Sequence, residues 1–125
     1  MDCVIGCSTN YDWAKLKYWI NSINESGFTG DKVMILMNCD KETANKVSDA
    51  GFDIIAFGQD DKGNLVYNSN MMVHVERFYH IYQHLKNKDY RYVITTDVKD
   101  VIFQKNPSEW LEKHLPEGHE DLIFS

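Results

Sequence analysis

Short apolar runs alternate with segments of helical periodicity along the chain. The apolar runs predict buried strands at 3–8, 32–38, 52–57, 90–96 and 121–124. Between them, apolar residues recur three and four positions apart, which predicts helices at 13–26, 41–50 and 69–87 and a short helix from Pro107. Continuous apolar strands that alternate with helices indicate a parallel sheet covered on both faces.

This pattern predicts an α/β fold of the doubly wound, Rossmann-like class. Because crossovers between parallel strands are right-handed, we expect strand order 3-2-1-4 in a mainly parallel sheet, with helices on both faces. A chain of 125 residues has room for one domain, and we expect residues 1–125 to form it.

Helix ends and helix faces add detail to this prediction. Asp12, Asp40 and Asn106 are suited to cap helix starts, and Gly27 and Gly51 are suited to end helices. The predicted inner face of the first helix consists of the apolar residues Trp13, Leu16, Ile20 and Ile23. The predicted inner face of the long third helix consists of Val75, Phe78, Tyr82 and Leu85.

Charge and hydropathy exclude several classes of partner. The net charge is -6 and there is no run of Lys or Arg, so we expect no nucleic-acid groove. No apolar run approaches the roughly 20 residues of a membrane helix, and the start lacks the features of a signal peptide. Cys3, Cys7 and Cys39 lack zinc-ligand spacing and are predicted to be buried, reduced thiols. These features favour a cytoplasmic protein without a membrane span.

Two carboxylates follow the fourth predicted strand, in the segment VITTDVKDVIFQ at 93–104. Side chains alternate along a strand, so Asp97 and Asp100 converge only if the chain turns at Val98 and Lys99. Ligands of open parallel sheets bind beyond the carboxyl ends of the strands, where the strand order reverses. A solvated turn is the simple alternative, since Asp is common in turns.

A converged pair of carboxylates would suit a hard divalent cation such as Mn²⁺ or Mg²⁺. Two carboxylates do not complete the ligand shell of such an ion. The remaining positions suit water and phosphate oxygens, which indicates a metal bound together with a diphosphate.

The segment TTDVKDVIFQ resembles the metal-binding acidic motif of GT-A fold glycosyltransferases. Most of that family carry D-x-D, and the D-x-x-D spacing of this chain is similar to the variant in the domains that glycosylate collagen hydroxylysine. The segments TNYDW, SINESGF and VERFYHIYQHL also resemble the corresponding parts of such domains. Family domains are longer, so the resemblance implies a GT-A-like domain that lacks most of the usual acceptor half.

The resemblance implies roles for individual residues in binding a UDP-sugar donor. Asp97 would contact the ribose or the metal, and Asp100 would bind the metal directly. Arg77 would approach the donor sugar or the diphosphate, or brace the acidic motif, and Lys99 would share the charge of the diphosphate. The loop that would hold the base and ribose comprises Ser8, Thr9, Asn10 and Tyr11, with Tyr11 suited to stack on uracil.

The implied reaction is transfer of a hexose from a UDP-sugar to an acceptor hydroxyl, where the acceptor is a carbohydrate, a protein or a small molecule. The alternative is a non-catalytic module that binds a nucleotide sugar and needs a partner chain for activity. A phosphatase with an Asp nucleophile is a third possibility, but its D-x-D motif follows the first strand. An uncovered sheet edge also favours a homodimer.

Other polar groups have simpler interpretations. His80 and His84 fall off the predicted inner face of their helix, so we expect a solvated pair rather than a shared metal site. His114 or His119 could supply the His that commonly completes the family's metal shell. The polar segment 58–68 is predicted to be a mobile surface loop, with a lid over the donor as the alternative.

Overall fold

The computed structural model describes residues 1–67, 73–98, 101–114 and 123–124. The strands are β1 (Cys3–Ser8), β2 (Asp31–Leu36), β3 (Asp53–Ile55), β4 (Val93–Thr95) and β5 (Ile123–Phe124). The helices are α1 (Trp13–Glu25), α2 (Lys41–Asp49), α3 (Val73–Leu85) and α4 (Pro107–His114). The predicted alternation of elements is confirmed, although β3 and β4 are shorter than the apolar runs that predicted them.

The described strands form one parallel sheet in the order β3-β2-β1-β4-β5. This confirms the predicted order 3-2-1-4 and the Rossmann-like α/β class, with β5 added beside β4. Cys3 at the start of β1 pairs with Asp31 of β2 and with Val93 of β4. The chain moves in one direction from β1 to β3 and returns to the other side for β4. The strand order therefore reverses between β1 and β4.

Alternate residues of β1 face two separate apolar layers. One layer includes Val4 and packs against α1, α2 and α4 through residues such as Leu16, Val47 and Leu111. The other layer includes Ile5 and packs against Ile81 of α3. Helices therefore cover both faces of the sheet, as predicted.

The predicted helix ends are confirmed by their hydrogen bonds. The carboxylate of Asp12 accepts from the Lys15 N–H at 3.2 Å, and that of Asp40 accepts from the Thr43 N–H at 2.7 Å. The Asn106 side-chain oxygen accepts from the Ser108 N–H at 3.0 Å. Gly27 and Gly51 follow their helices with φ angles of 82° and 93°, a backbone region that residues with a Cβ rarely adopt.

The predicted inner face of α3 is partly wrong. Leu85 does pack against the second layer, but the Tyr82 side chain is 63% exposed and Ile81 is buried instead. Ile81 and Leu85 lie four residues apart and so share one helix face, which leaves the neighbouring Tyr82 directed to solvent. The side chains of Val75 and Phe78 lie outside the described part of the chain.

The three cysteines are buried and form no disulfide, as predicted. Burial raises the pKa of the Cys3 and Cys7 thiols to about 12 and that of Cys39 to about 11. All three thiols are therefore protonated at neutral pH and are poor nucleophiles. No helix formed by the described residues is long and apolar enough to cross a membrane.

A buried ion pair joins the amino end of the chain to α4. Asp2 is 4% exposed and accepts two hydrogen bonds from Arg91, at 3.0 and 2.8 Å. Arg91 also contacts the carboxylate of Glu112 at 2.7 Å. Burial opposes the charge on Asp2, but hydrogen bonds from Arg91 and Ser108 and the charge of Arg91 outweigh it and lower the pKa of Asp2.

We expect this pair to make the stability of the fold sensitive to acid. Because the folded-state pKa of Asp2 is lowered, its contribution is present above the unfolded value of about 4 and is lost as the pH falls through the folded value. The variant Asp2→Asn should be less stable at neutral pH and should lose less stability on acidification. Melting temperatures of both proteins between neutral and acidic pH test this, and parallel pH profiles would contradict it.

Candidate functional site

The reversal of strand order places the carboxyl ends of β1 and β4 side by side. Open α/β sheets bind ligands at this position, because the flanking loops diverge and leave a crevice. Ser8 ends β1, Thr9 to Tyr11 form the loop after it, and the segment after β4 contains Asp97. The fold therefore brings together the two groups of residues that the sequence predicted for donor binding, as far as they are described.

Asp97 lies in the segment that directly follows β4, and the chain bends at Val98. The Thr96 hydroxyl accepts a hydrogen bond from the Trp19 indole N–H at 2.8 Å and donates one to the Asp97 carbonyl at 3.0 Å. Val98 is 3% exposed and packs in the layer next to α1. The Asp97 carboxylate lies toward α3 instead and is 60% exposed. This segment thus presents a charged group at the edge of the sheet while its neighbours are buried.

Arg77 of α3 reaches across to Asp97. Its Nη1 donates to Oδ1 of Asp97 at 2.8 Å, and only a quarter of the Arg77 side chain is exposed. No described residue donates to Oδ2 of Asp97, so this oxygen can accept a ligand hydroxyl or contact a cation while Oδ1 stays on the guanidinium. The resemblance implied that Arg77 approaches the donor sugar or the diphosphate, or braces the acidic motif, and its hydrogen bond to Asp97 corresponds to a brace.

The loop after β1 has two features that are typical of binding sites. The Ser8 side chain is 2% exposed, and its hydroxyl has no hydrogen-bond partner among the described residues. Buried hydroxyls are normally paired, so the Ser8 hydroxyl is available to hydrogen-bond a ligand at the end of β1. Asn10 has a φ angle of 66°, a left-handed conformation that is uncommon for residues with a Cβ and concentrates at functional sites.

Asn38, just beyond β2, holds this loop beside the segment that precedes α3. Its side chain accepts the Tyr67 N–H at 3.1 Å, donates to the Tyr67 carbonyl at 3.1 Å and lies 3.5 Å from the Thr9 hydroxyl. Its carbonyl oxygen accepts the Asn10 N–H at 2.8 Å. Sequence reasoning missed Asn38, although a polar residue directly after an apolar parallel strand is a usable signal.

A polar cleft of about 410 Å³ opens beside this loop, within the range of small-molecule sites. Its walls come from the loop after β1, the end of β2 and the segment before α3, namely Asn10, Tyr11, Asp12, Asn38, Cys39, Asp40, Asp60, Asn64, Leu65 and Val66. Tyr11 is half-buried and packs against the first apolar layer, with the Lys15 ammonium 5.8 Å from its ring centre. One ring and several amide and carboxylate groups suit a flat polar ligand such as a nucleoside.

The three carboxylates of the cleft already accept hydrogen bonds from backbone N–H groups. Asp12 and Asp40 cap α1 and α2. Hydrogen bonds from the Thr43 hydroxyl and N–H lower the pKa of Asp40. At Asp60, desolvation works in the opposite direction, but hydrogen bonds from Asn64 and neighbouring backbone N–H groups lower its pKa. Asp40 and Asp60 therefore stay ionised at neutral pH and are poorly suited to remove a proton from an acceptor.

The segment predicted as a mobile loop is anchored within its described part, residues 58–67. Leu65 is 7% exposed and exchanges two backbone hydrogen bonds with Cys39, at 3.0 and 2.8 Å. Asp60 accepts from the backbone N–H groups of Lys62 and Asn64, both at 2.9 Å. The described part of the segment therefore forms one wall of the cleft, where hydrogen bonds hold it to Cys39 and to its own backbone.

The prediction of a solvated histidine pair is wrong. His80 is 9% exposed, lies 3.3 Å from the buried Glu76 carboxylate and packs against the ring of Phe57 at 4.4 Å between centres. His84 is also partly buried, and burial lowers its pKa. The physical reason is aromatic packing from distant segments, which periodicity within one helix does not reveal.

Four other residues were predicted to contact the metal or the diphosphate, and the structure describes one of them, His114. Lys99, Asp100 and His119 lie outside the described part of the chain. His114 ends α4, where its ring stacks on Trp110 at 4.2 Å and its Nδ1 lies 2.8 Å from the Trp110 carbonyl oxygen. Among the described residues, no three His, Cys, Asp or Glu side chains are grouped to hold a metal ion.

Among the residues that the structure describes, Asp97 offers one carboxylate oxygen, which is too few ligands for a permanent metal ion. It would fit a cation that shares its ligand shell with a diphosphate, because phosphate oxygens would then supply most of the ligands.

Comparison of the chain with protein-family models, curated proteins and solved structures finds no match.

Proposed function

We propose that this protein binds a UDP-sugar together with a divalent cation and transfers the hexose to an acceptor hydroxyl. The observation that carries the proposal is the position of Asp97. It projects an exposed carboxylate at the point where the strand order reverses, and Arg77 braces it at 2.8 Å. This is the position that a GT-A glycosyltransferase uses for its acidic motif, which the sequence TTDVKDVIFQ resembles.

The cleft supports a site for the nucleoside. Tyr11 offers a ring face to the base, and the Asn64 amide, which bonds to the Lys41 N–H and the Asp60 carboxylate, keeps a second N–H for its polar edge. The unpaired Ser8 hydroxyl lies where β1 ends, next to the loop that would hold the ribose. A nucleotide that lies from the cleft toward Asp97 would bring its diphosphate to the edge where Arg77 and Asp97 meet.

In the proposed reaction the bond between the anomeric carbon and the diphosphate oxygen breaks. A new bond forms to the acceptor oxygen, whose proton is released. Negative charge grows on the leaving diphosphate, and a bound Mn²⁺ or Mg²⁺, held by Asp97 and by Asp100, would act there as a Lewis acid. The Arg77 guanidinium can share this charge through a charge-assisted hydrogen bond while it continues to orient Asp97.

One observation favours the second candidate, a nucleotide-sugar-binding module without catalysis. Each cleft carboxylate is held in a cap or a turn, so the described residues supply binding groups there but no suitable base. The acceptor would then be positioned by a partner chain. The proposal also keeps two expectations from the sequence, a cytoplasmic location and a homodimer, for which the short edge strand β3 is a candidate contact.

We expect the purified chain to bind UDP at least about tenfold more tightly with Mn²⁺ than with a chelator, because the cation bridges the carboxylates and the diphosphate. Isothermal titration calorimetry measures this difference. A screen of UDP-sugars with Mn²⁺ and candidate acceptors, read by release of UDP, then separates the two candidates. Binding without release for any acceptor would favour the module, and equal binding of UDP in both conditions would contradict both.

A further inference from the structure

A chain of two hydrogen bonds connects α1 to the backbone of Asp97. The indole N–H of Trp19 is only a donor, whereas the Thr96 hydroxyl both accepts and donates. The directions are therefore fixed: Trp19 donates to Thr96 at 2.8 Å, and Thr96 donates to the Asp97 carbonyl at 3.0 Å. Trp19 is 1% exposed and Thr96 is 8% exposed, so water does not compete for either bond.

Packing holds the residue on the other side of Asp97. Val98 lies directly over Gly6 of β1, where an added Cβ would be 2.5 Å from a Val98 methyl group and 2.9 Å from the Trp19 ring. The Trp19 ring is itself held against Phe52 and Phe103, at 5.7 and 6.3 Å between ring centres. The absence of a side chain at Gly6 therefore lets the segment after β4 settle onto β1.

Both neighbours of Asp97 are thus fixed from the α1 side of the sheet, while the Asp97 carboxylate faces α3. A change in the peptide between Thr96 and Asp97 would rotate the carboxylate away from Arg77. The direction of the Asp97 carboxylate then depends on residues behind the site, which would not contact a ligand themselves.

We propose that Trp19 and Thr96 are positioning residues that set the direction of the Asp97 carboxylate. This inference rests on the proposed function for its effect on UDP binding, but the geometry it describes exists without a ligand. Supporting hydrogen bonds behind a metal ligand typically change affinity by about 10- to 100-fold when they are removed. The loss of the Thr96 hydroxyl should therefore weaken Mn²⁺-dependent binding of UDP by about that factor.

The test compares three substitutions, two at Thr96 and one at a distant hydroxyl. Thr96→Val keeps the shape of the side chain and removes both hydrogen bonds, whereas Thr96→Ser keeps the hydroxyl. Ser26→Ala is the matched control, because the Ser26 hydroxyl also donates one hydrogen bond, to the Ile23 carbonyl, and accepts one, from the Phe28 N–H, but lies in the connection from α1 to β2. The dissociation constant for UDP with Mn²⁺ is measured well below the melting temperature of every variant. A purely structural role would lower the melting temperature of Thr96→Val but leave this constant unchanged.

We expect Thr96→Val to bind UDP about 10- to 100-fold more weakly, while Thr96→Ser and Ser26→Ala stay close to the wild type. A second readout needs no ligand: the NMR resonances of the Asp97 carboxyl carbon and the Arg77 guanidinium should shift in Thr96→Val only. Wild-type affinity in Thr96→Val would overturn the positioning role and leave the proposed function intact. If the wild type binds no UDP, the proposed function fails, and unchanged NMR resonances in Thr96→Val would overturn the positioning role separately.

Discussion

Replacing Asp97 with Asn will weaken the Mn²⁺-dependent binding of UDP by about 100-fold, which corresponds to about 3 kcal/mol. The substitution keeps the shape of the side chain but removes its charge. The amide oxygen that replaces the carboxylate binds a divalent cation less strongly, and the charged hydrogen bond from Arg77 at 2.8 Å is lost. Calorimetric titration of UDP into the Mn²⁺-loaded protein measures the change.

Asp89→Asn is the matched control for this result. Asp89 is exposed and lies between α3 and β4, before the strand whose far end carries Asp97. Its substitution changes the net charge by the same amount without touching the site. Equal weakening in both variants would mean that long-range charge, rather than a contact at Asp97, controls binding. Asp100→Asn is expected to match Asp97→Asn, because the sequence resemblance makes Asp100 the direct metal ligand.

The sheet was predictable because its strands are buried on both faces. Strands such as CVIGCS and KVMIL are apolar on both faces, so each face must be covered by a layer of helices. Helices that cover both faces require parallel strands joined by right-handed crossovers. The caps at Asp12 and Asp40 were predictable for a different reason. Their carboxylates bond to backbone N–H groups three residues away, so the signal is local in the sequence.

The length of β4 was not predictable from its apolar run. The prediction began the strand at Tyr90, whereas the ladder begins at Val93. The Tyr90 hydroxyl donates to the Asp31 carboxylate at 2.8 Å, and Arg91 pairs with Asp2. These long-range polar contacts use Tyr90 and Arg91 to hold the amino end of the sheet, so the strand begins later than propensity indicates.

The candidate site likewise contains residues that were predicted from the sequence and residues that were missed. Asp97 was found from the sequence because a charged residue at the end of a buried strand is unusual, whereas Arg77 was implied by the resemblance alone. Trp19, Thr96 and Asn38 were missed because their role depends on partners far away in the chain. Trp19 and Thr96 are 77 residues apart, and Asn38 and Tyr67 are 29 apart. Single-sequence patterns report which face is buried, but not which polar groups meet there.

The start of β2 is the place where a very small change should damage the fold most. Gly30 lies directly against the backbone of Asp2, and an added Cβ would overlap the Asp2 carbonyl oxygen and approach the Phe28 ring to 2.7 Å. The same carbonyl accepts the Asp31 N–H at 2.9 Å, next to the Cys3–Asp31 pair that begins the β1–β2 ladder. Relief of the overlap would therefore separate the two central strands at their first contact.

We expect Gly30→Ala to lower the free energy of unfolding by about 3 kcal/mol, the upper end of the cost of overpacking, because backbone atoms are less able to move aside than a side-chain end. Gly27→Ala is the matched control: Gly27 has a φ of 82°, but its nearest neighbour would be 3.8 Å from the new Cβ. That variant should lose only about 1 kcal/mol, from backbone strain alone. Urea denaturation measures both losses. A smaller loss for Gly30→Ala than for Gly27→Ala would show that the β1–β2 contact can widen at little cost in stability. The close approach of Gly30 to Asp2 would then not be needed to hold β1 and β2 together at their first contact.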